Sequence, residues 1–320
     1  MHSAKTKRHK VTLVGLGAMG RRHARVFAAL TDRFEVVGCY DVRPDAALPA
    51  HVTRLRSEAE AIARAEVVII ATPMDAHAET AGRALAAGRH VLVEKPLCVT
   101  ATQAAALVAQ ATRAEAHLFV GHSERFNPVV RALARLIRDD QVVAIDLHRV
   151  GPSRPADCGV LVNLGVHDLD LAAYLGGGEL ALRGAVGGRM ATSQTASGGE
   201  DFAHVVFGLS CGASGHLYVD RSVSTKRRAI TLATTRWLYE GDLLTHRLVR
   251  TMRPGGAPTD VPLLLDEPLA LQALAVAETL DGRSQREIAT GTDGMRAVAL
   301  AERAAACCYI PEKLSLLAQP

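Results

Sequence analysis

Residues 10–30 read KVTLVGLGAMGRRHARVFAAL, and no other stretch restricts the fold as much. An apolar run stops at three glycines and then becomes a helix pattern. Gly15, Gly17 and Gly20 spell G-x-G-x-x-G, with Ala18 and Met19 inside it. The first glycine permits a tight turn, and the second lets the backbone approach a pyrophosphate. The third lets the helix lie close on the strand, and the helix N-terminus faces the phosphates. A glycine-rich turn without a ligand has the same spelling, so the context decides.

The next segment, FEVVGCYDV, is a second strand pattern ending at Asp41, about twenty residues past the last glycine, where an acidic side chain holds ribose hydroxyls. Asp41 repels a 2′-phosphate and so favours NAD; Arg43, two residues on, would admit NADP. Then VVIIA reads as a buried strand, and TPMDAH as a turn whose Pro73 suits a helix start. HAETAGRALAAG reads as a helix stopped by Gly88, and HVLV as another strand. Strands alternating with helices predict a parallel, doubly wound sheet whose ligands bind outside the carboxyl ends of the strands. The run HVLVEKPL therefore delivers Glu94, Lys95 and Pro96 to the mouth of that site. Glu94 is a local counter-charge to Lys95, and Pro96 fixes the backbone after it. A lysine at a strand end also snorkels to solvent.

A length of 320 residues predicts about two domains. The boundary is placed so that residues 1–122 form the dinucleotide-binding domain and 123–320 a domain for substrate binding and oligomerisation. The basic first ten residues read as a solvated arm, with no apolar region of a signal peptide. No run of eighteen apolar residues spans a membrane. A net charge of +4 is too mild to argue for nucleic acid. Six scattered cysteines without C-x-x-C spacing predict reduced, mostly buried thiols in a cytoplasmic protein and no metal site. In the second half QVVAIDLHRV, DFAHVVFGL, ASGHLYVDR, RRAITLAT and LTHRLVRTM follow one another as strands, predicting an antiparallel sheet. EPLALQALAVAETLDG and DGMRAVALAERAAACC read as helices covering one face of it. TASGGED at 195–201 and RPGGAPTD at 253–260 read as turns or surface loops.

GLGAMG, ATP followed by His77, GRHVLVEKPL and NLGVHDLD, in this order and spacing, resemble the Gfo/Idh/MocA family of NAD(P)-dependent sugar and cyclitol oxidoreductases. The likeness runs over essentially the whole chain. It implies α/β architecture: an N-terminal Rossmann domain, then a domain with a large open, mostly antiparallel sheet. It also implies a small-molecule substrate and a dimer or tetramer through that sheet. Thr72, Pro73, His77, Glu94 and Lys95 then join Gly15, Gly17, Ala18, Met19, Gly20, Asp41 and Arg43 in the cofactor site. GHSERFNPVV at 121–130 is similar to a subgroup with a GHxERFNP signature, which includes UDP-N-acetylglucosamine 3-dehydrogenase-like enzymes. That segment offers His122, Glu124, Arg125 and Asn127 to nicotinamide ribose or sugar; a salt-bridged hinge is the other reading.

Hydride transfer at a carbinol carbon needs a group that takes or gives the O–H proton, and a nearby cation helps the oxygen carry charge. The resemblance gives the cation to Lys95 and the proton to His167. Asn163, four residues before His167, shares a face with it if the helix starts early enough. Asp170, three residues after His167, orients the imidazole or binds substrate. Many family members carry aspartate where this chain has Asn163, and asparagine cannot act as a base. Arg154, Lys226 and Arg228 are candidates for a substrate phosphate, since guanidinium suits phosphate oxygens. Three activities remain open: a dehydrogenase of a sugar nucleotide, one of a free cyclitol or aminosugar, and a dinucleotide-sensing regulator without catalysis. Lys95 with His167 counts against the regulator, and Asn163 counts for it.

Overall fold

The computed structural model describes residues 7–48, 52–152, 158–190 and 199–308. The chain divides into two compact units. The first runs to Asn127 and takes back Asp266–Val298; the second holds Pro128–Leu265 and the chain from Ala299.

In the first unit the strands are β1 (His9–Val14), β2 (Phe34–Tyr40), β3 (Val67–Ile70), β4 (His90–Val93) and β5 (Leu118–Val120). The helices between them are α1 (Ala18–Ala29), α2 (Glu58–Arg64), α3 (Met74–Ala86) and α4 (Ala101–Arg113). The sheet order is β5-β4-β3-β1-β2, all parallel, with the short strand Ala289–Thr290 antiparallel on the edge of β5. All four residues of β3 are fully buried, which explains a continuous apolar run where a half-exposed strand would alternate. Gly88 takes φ +70°, a left-handed stop for α3.

The helix Pro268–Leu280 corrects one expectation, since it lies in the first unit and does not cover the antiparallel sheet. The reason is the coverage of the parallel sheet. Ala61, Ile62, Ala81, Leu85, Ala104 and Leu107 put α2, α3 and α4 on one of its faces. The other face has Ala24, Val26 and Phe27 of α1, and Leu269, Ala273 and Val276 of the returning helix complete it. The boundary expected after residue 122 accordingly moves: the first unit keeps residues to Asn127 and the returning segment. The basic arm is also shorter than expected. His9 opens β1 at 2% exposure, with Nδ1 3.1 Å from a Glu66 oxygen and Nε2 3.1 Å from an Asp281 oxygen.

The second unit carries α5 (Pro128–Leu136), β6 (Val142–Val150), α6 (Val166–Gly176), β7 (Leu180–Gly188), β8 (Phe202–Leu209), β9 (Ser214–Asp220), β10 (Arg227–Thr234), β11 (Trp237–Asp242), β12 (Arg247–Met252) and β13 (Thr259–Asp260). Its sheet order is β13-β12-β11-β10-β6-β9-β8-β7. Among the described residues only the β6–β9 pair of this sheet is parallel. Val130 and Leu133 of α5, Leu169 and Ala172 of α6, and Leu300 and Ala304 near the chain's end cover one face. The opposite face leaves Val186 and Val206 46% and 48% exposed. Among the six cysteines only Cys39 and Cys98 are buried, and all six are free; the expectation of mostly buried thiols was too broad. No helix among the described residues is long and apolar enough to cross a membrane.

Candidate active site

The three glycines do different work. Gly15 has φ +92°, and a Cβ there would lie 2.6 Å from the Ala71 carbonyl. A Cβ on Gly20 would lie 1.9 Å from the Gly15 carbonyl oxygen. These two glycines are required by the fold. Gly17, the N-cap of α1, has φ −64°, and among the described residues nothing but its chain neighbours lies within 4 Å of its missing Cβ. Its open side is where a pyrophosphate fits, so the turn accommodates the dinucleotide it was read to hold. Ala18 begins α1, and Met19 packs against the core beneath.

Asp41 follows β2 and faces back to the turn. One carboxylate oxygen accepts the Leu16 N–H at 2.6 Å; the other accepts the Arg43 N–H at 2.9 Å and its Nε at 3.1 Å. Burial opposes ionisation of this carboxyl, but the bonds from Arg43 and Leu16 outweigh it and hold Asp41 below its ordinary value. The anion expected opposite the ribose is present, and Arg43 is already clasped to it.

The ends of β3 and β4 bring the next candidates together. Thr72 follows β3, and its Oγ1 is buried with no hydrogen-bond partner among the described residues, an acceptor or donor left for a ligand. Pro73 is the N-cap of α3. His77 is buried, with Nδ1 2.8 Å from the Pro96 carbonyl oxygen and Nε2 3.0 Å from that of Thr72. The charge of Lys95 acts on Glu94, as a counter-charge does, but the carboxylate also has partners of its own. Its Oε1 lies 2.7 Å from Nε2 of His23, and its Oε2 accepts the Lys95 backbone N–H at 3.3 Å. Lys95 is half-buried, and its peptide to Pro96 is cis. After β5, residues 123–126 form a 3₁₀ turn. Here His122, Glu124, Arg125 and Asn127 are all buried. Asn127 Nδ2 donates to Glu124 at 3.4 Å, and Arg125 pairs with Asp293 at 3.6 Å, as a salt-bridged reading requires.

In the second unit the segment with Asn163 and His167 is helical earlier than Gly165. Leu161–Gly165 is a π-turn, closed by Val166 N–H donating to the Leu161 carbonyl, and α6 continues it. Four residues of regular helix leave an offset of about 40°, and the wider turn reduces it. Asn163 and His167 are both half-buried, and Asp170 is buried one turn further on.

What fixes this helix left little sign in the sequence. Glu200, 3% exposed, accepts the Leu161 N–H at 2.8 Å. A Cβ on Gly159 would lie 2.2 Å from Oε2 of Glu200, so that glycine makes the room. Arg221 donates to Asp201 at 3.0 Å and to the Cys158 and Glu200 carbonyls. The described end of TASGGED is thus buried structure and not a surface loop; residues 195–198 lie outside the described residues. Arg149 of β6 makes a buried two-pronged pair with Asp168, beside His167, at 2.5 and 3.2 Å. Arg149 could have been found, because it alternates with Ile145 and Leu147 in the inward phase of its strand. Arg228 stands opposite Arg149 in the β10–β6 register and is half-buried. Lys226 is exposed and its stem lies against Gly151. Arg154 lies outside the described residues.

Because no protein atom crowds Gly17, a Gly17→Val variant is expected to fold with an unchanged melting temperature and to lose dinucleotide binding. Gly20→Ala is expected to fail already at folding. Calorimetric titration of the parent should show tighter binding of NAD than of NADP, and Arg43→Ala, which leaves the Asp41 charge uncompensated, should widen the gap. A parent that prefers NADP would mean that Arg43 governs the pocket.

Known proteins resemble the chain in both units. A model of an oxidoreductase family with an NAD-binding Rossmann fold matches residues 9–122, and the GFO/IDH/MocA C-terminal domain matches residues 138–238. The chain is 28% identical over 266 residues to UDP-N-acetylglucosamine 3-dehydrogenase of Acidithiobacillus ferrooxidans, covering 81% of this chain and 82% of that one. It is 30% identical over 235 residues to the rhizopine catabolism protein MocA of Rhizobium meliloti, covering 67% and 72%. A solved structure of the Acidithiobacillus enzyme superposes with a TM-score of 0.84 at 25% identity, over 94% of this chain and 98% of that one. With NAD as its cofactor, the chain belongs to the Gfo/Idh/MocA family of oxidoreductases.

Proposed function

We propose that the protein is an NAD-dependent dehydrogenase of a sugar nucleotide, acting on a secondary alcohol such as C3 of a UDP-N-acetylhexosamine. The observation that carries this reading is the likeness to the UDP-N-acetylglucosamine 3-dehydrogenase over four-fifths of both chains, 81% and 82%. The half-buried Arg228 in β10 and the exposed Lys226 just before it support it, because a diphosphate is a natural partner for both. The glycine turn, Asp41 and Thr72 hold the dinucleotide, which supplies the hydride acceptor or donor. Lys95 stabilises negative charge on the substrate oxygen. His167 takes the O–H proton in oxidation and returns it in reduction, and Asn163 orients the substrate by hydrogen bonds. His122, Arg125, Asn127 and Asp170 complete the proposed substrate contacts. We also propose a cytoplasmic homo-oligomer joined through the open sheet face that exposes Val186 and Val206; a monomer mass in sedimentation would refute the assembly.

The test is a panel of UDP-sugars, cyclitols and aminosugars offered with NAD while nicotinamide absorbance is followed. Turnover of UDP-sugars is expected to weaken as salt rises, since partly exposed charge contacts are screened. Arg228→Ala should raise KM more than it lowers kcat. Turnover of a cyclitol alone, indifferent to salt and to Arg228, would overturn the sugar-nucleotide reading. Tight NAD binding with no turnover of any compound would favour the sensor.

A further inference from the structure

The reading of Lys95 as the charge at the reacting oxygen leaves a question of aim. A lysine has a long, flexible stem, and an electrostatic group contributes most when it is already in place. The backbone around Lys95 is held from both sides. On its N-terminal side, Oε2 of Glu94 accepts the Lys95 N–H at 3.3 Å. Glu94 is itself fixed by His23 of α1, whose Nε2 lies 2.7 Å from Oε1. Room for the carboxylate comes from Gly121, where a Cβ would stand 3.1 Å from Glu94 Cα and Cδ. On the C-terminal side, Nδ1 of His77 lies 2.8 Å from the carbonyl oxygen of Pro96, and its Nε2 lies 3.0 Å from that of Thr72. His23, His77 and Glu94 are 1%, 1% and 8% exposed.

We infer that His23, Glu94 and His77 form a clamp on the Glu94–Lys95 and Pro96–Leu97 peptides, one on each side of Lys95, and that they are positioning residues and not contacts of dinucleotide or substrate. This inference rests on the role given to Lys95 above. The His23 ring ties the clamp to the helix that opens at the glycine turn, so the lysine and the turn share one frame. As a carboxylate, Glu94 has an acceptor for each partner, Oε1 for Nε2 of His23 and Oε2 for the Lys95 N–H. Burial opposes that charge, but the contact with His23, the charge of Lys95 and the Lys95 N–H prevail and hold the carboxyl below its ordinary value. Burial likewise lowers the pKa of His77, overcoming the pull of the two carbonyls. A neutral imidazole has one N–H, and the clamp needs it on Nδ1, donating to the Pro96 carbonyl.

Glu94→Gln keeps the shape but turns one acceptor into a donor, so the bond to His23 or to the Lys95 N–H is lost. His77→Ala removes the hold on Pro96, and His77→Gln restores a donor. For Glu94→Gln and His77→Ala, kcat should fall about 10- to 100-fold, with dinucleotide affinity within about threefold of the parent, because misplacement acts on the transition state. The pH profile of Lys95 acylation by acetic anhydride, read by mass spectrometry, should depart from that of the parent, and His77→Gln should recover part of kcat. Equal losses of dinucleotide affinity and kcat, with Lys95 labelling unchanged, would overturn the clamp and make these residues cofactor contacts. If the variants fail to fold, nitrogen NMR of histidines in the parent decides. The clamp requires fixed tautomers, Nδ1–H at His77 and Nε2–H at His23; averaged tautomers, or Nε2–H at His77, would overturn it. A fully active Lys95→Ala would sink the role of Lys95 alone, because labelling and NMR read the clamp without it.

Discussion

Lys95→Ala is expected to lower turnover by about 10²–10³, the usual cost of losing one preorganised charge at a developing oxyanion. The expectation starts from the strand. β4 is buried along its apolar residues and is followed by Glu94 and Lys95 at the carboxyl edge of a parallel sheet, where ligands of such sheets bind. The carboxylate next to Lys95 is engaged with His23, so removing the lysine side chain leaves the Glu94 bonds in place. The backbone N–H that Glu94 accepts is also untouched by the substitution. Dinucleotide affinity should therefore change little, and the loss should fall on kcat. Steady-state kinetics on the substrate found by the panel, paired with calorimetric titration of NAD, checks both. Normal turnover by the variant would end the reading of Glu94–Lys95–Pro96 as a catalytic strand end.

His167→Ala is expected to remove most activity together with the acid limb of the oxidation profile. Oxidation needs a neutral imidazole to accept the proton, and histidine ordinarily ionises near about 6.5. Activity in the parent should therefore fall as pH drops and protonates the base. Asn163 adds no charge one turn away, so Asn163→Asp is the informative partner variant. An added carboxylate favours imidazolium and should move the limb to higher pH with activity retained. The measurement is kcat/KM against pH for the parent and the two variants. A limb that survives in His167→Ala would pass the role of base to another group, with Lys95 the next candidate.

Most of the first ninety residues were legible because each element but α2 carries its own local instruction. Three glycines, a strand-end acid and fully apolar strands leave few alternatives, and β1, β2, α1, α3, β3 and β4 lie where the sequence placed them. What stayed hidden depended on contacts distant in sequence. The helix Pro268–Leu280 is apolar around much of its surface and would suit either sheet; the half-covered face beside α1 claims it. Glu94 was read with its neighbour Lys95, whereas its partner His23 lies 71 residues away. His23 did leave a trace, as the polar member of the inward stripe with Gly20, Ala24 and Phe27. Glu200 left none: its partner is a backbone N–H, which has no residue type to recognise. Asn163 and His167 could be paired by spacing, but the π-turn between them could not be read from it.

That π-turn makes the helix sensitive to length in an unusual way. A bulge of this kind is one residue more than a regular helix needs. Deleting Leu164 would let the segment close as ordinary α-helix, with α6 and its buried Asp168 pair to Arg149 left in place. The chain upstream would keep its facing, because the wider turn had absorbed the extra residue, but Asn163 would stand three residues before His167 and about 60° off its line. A protein shortened by that single codon should melt near the parent temperature yet handle substrate differently. In this helix, insertion or loss of one residue is a route to a new specificity that no substitution reproduces.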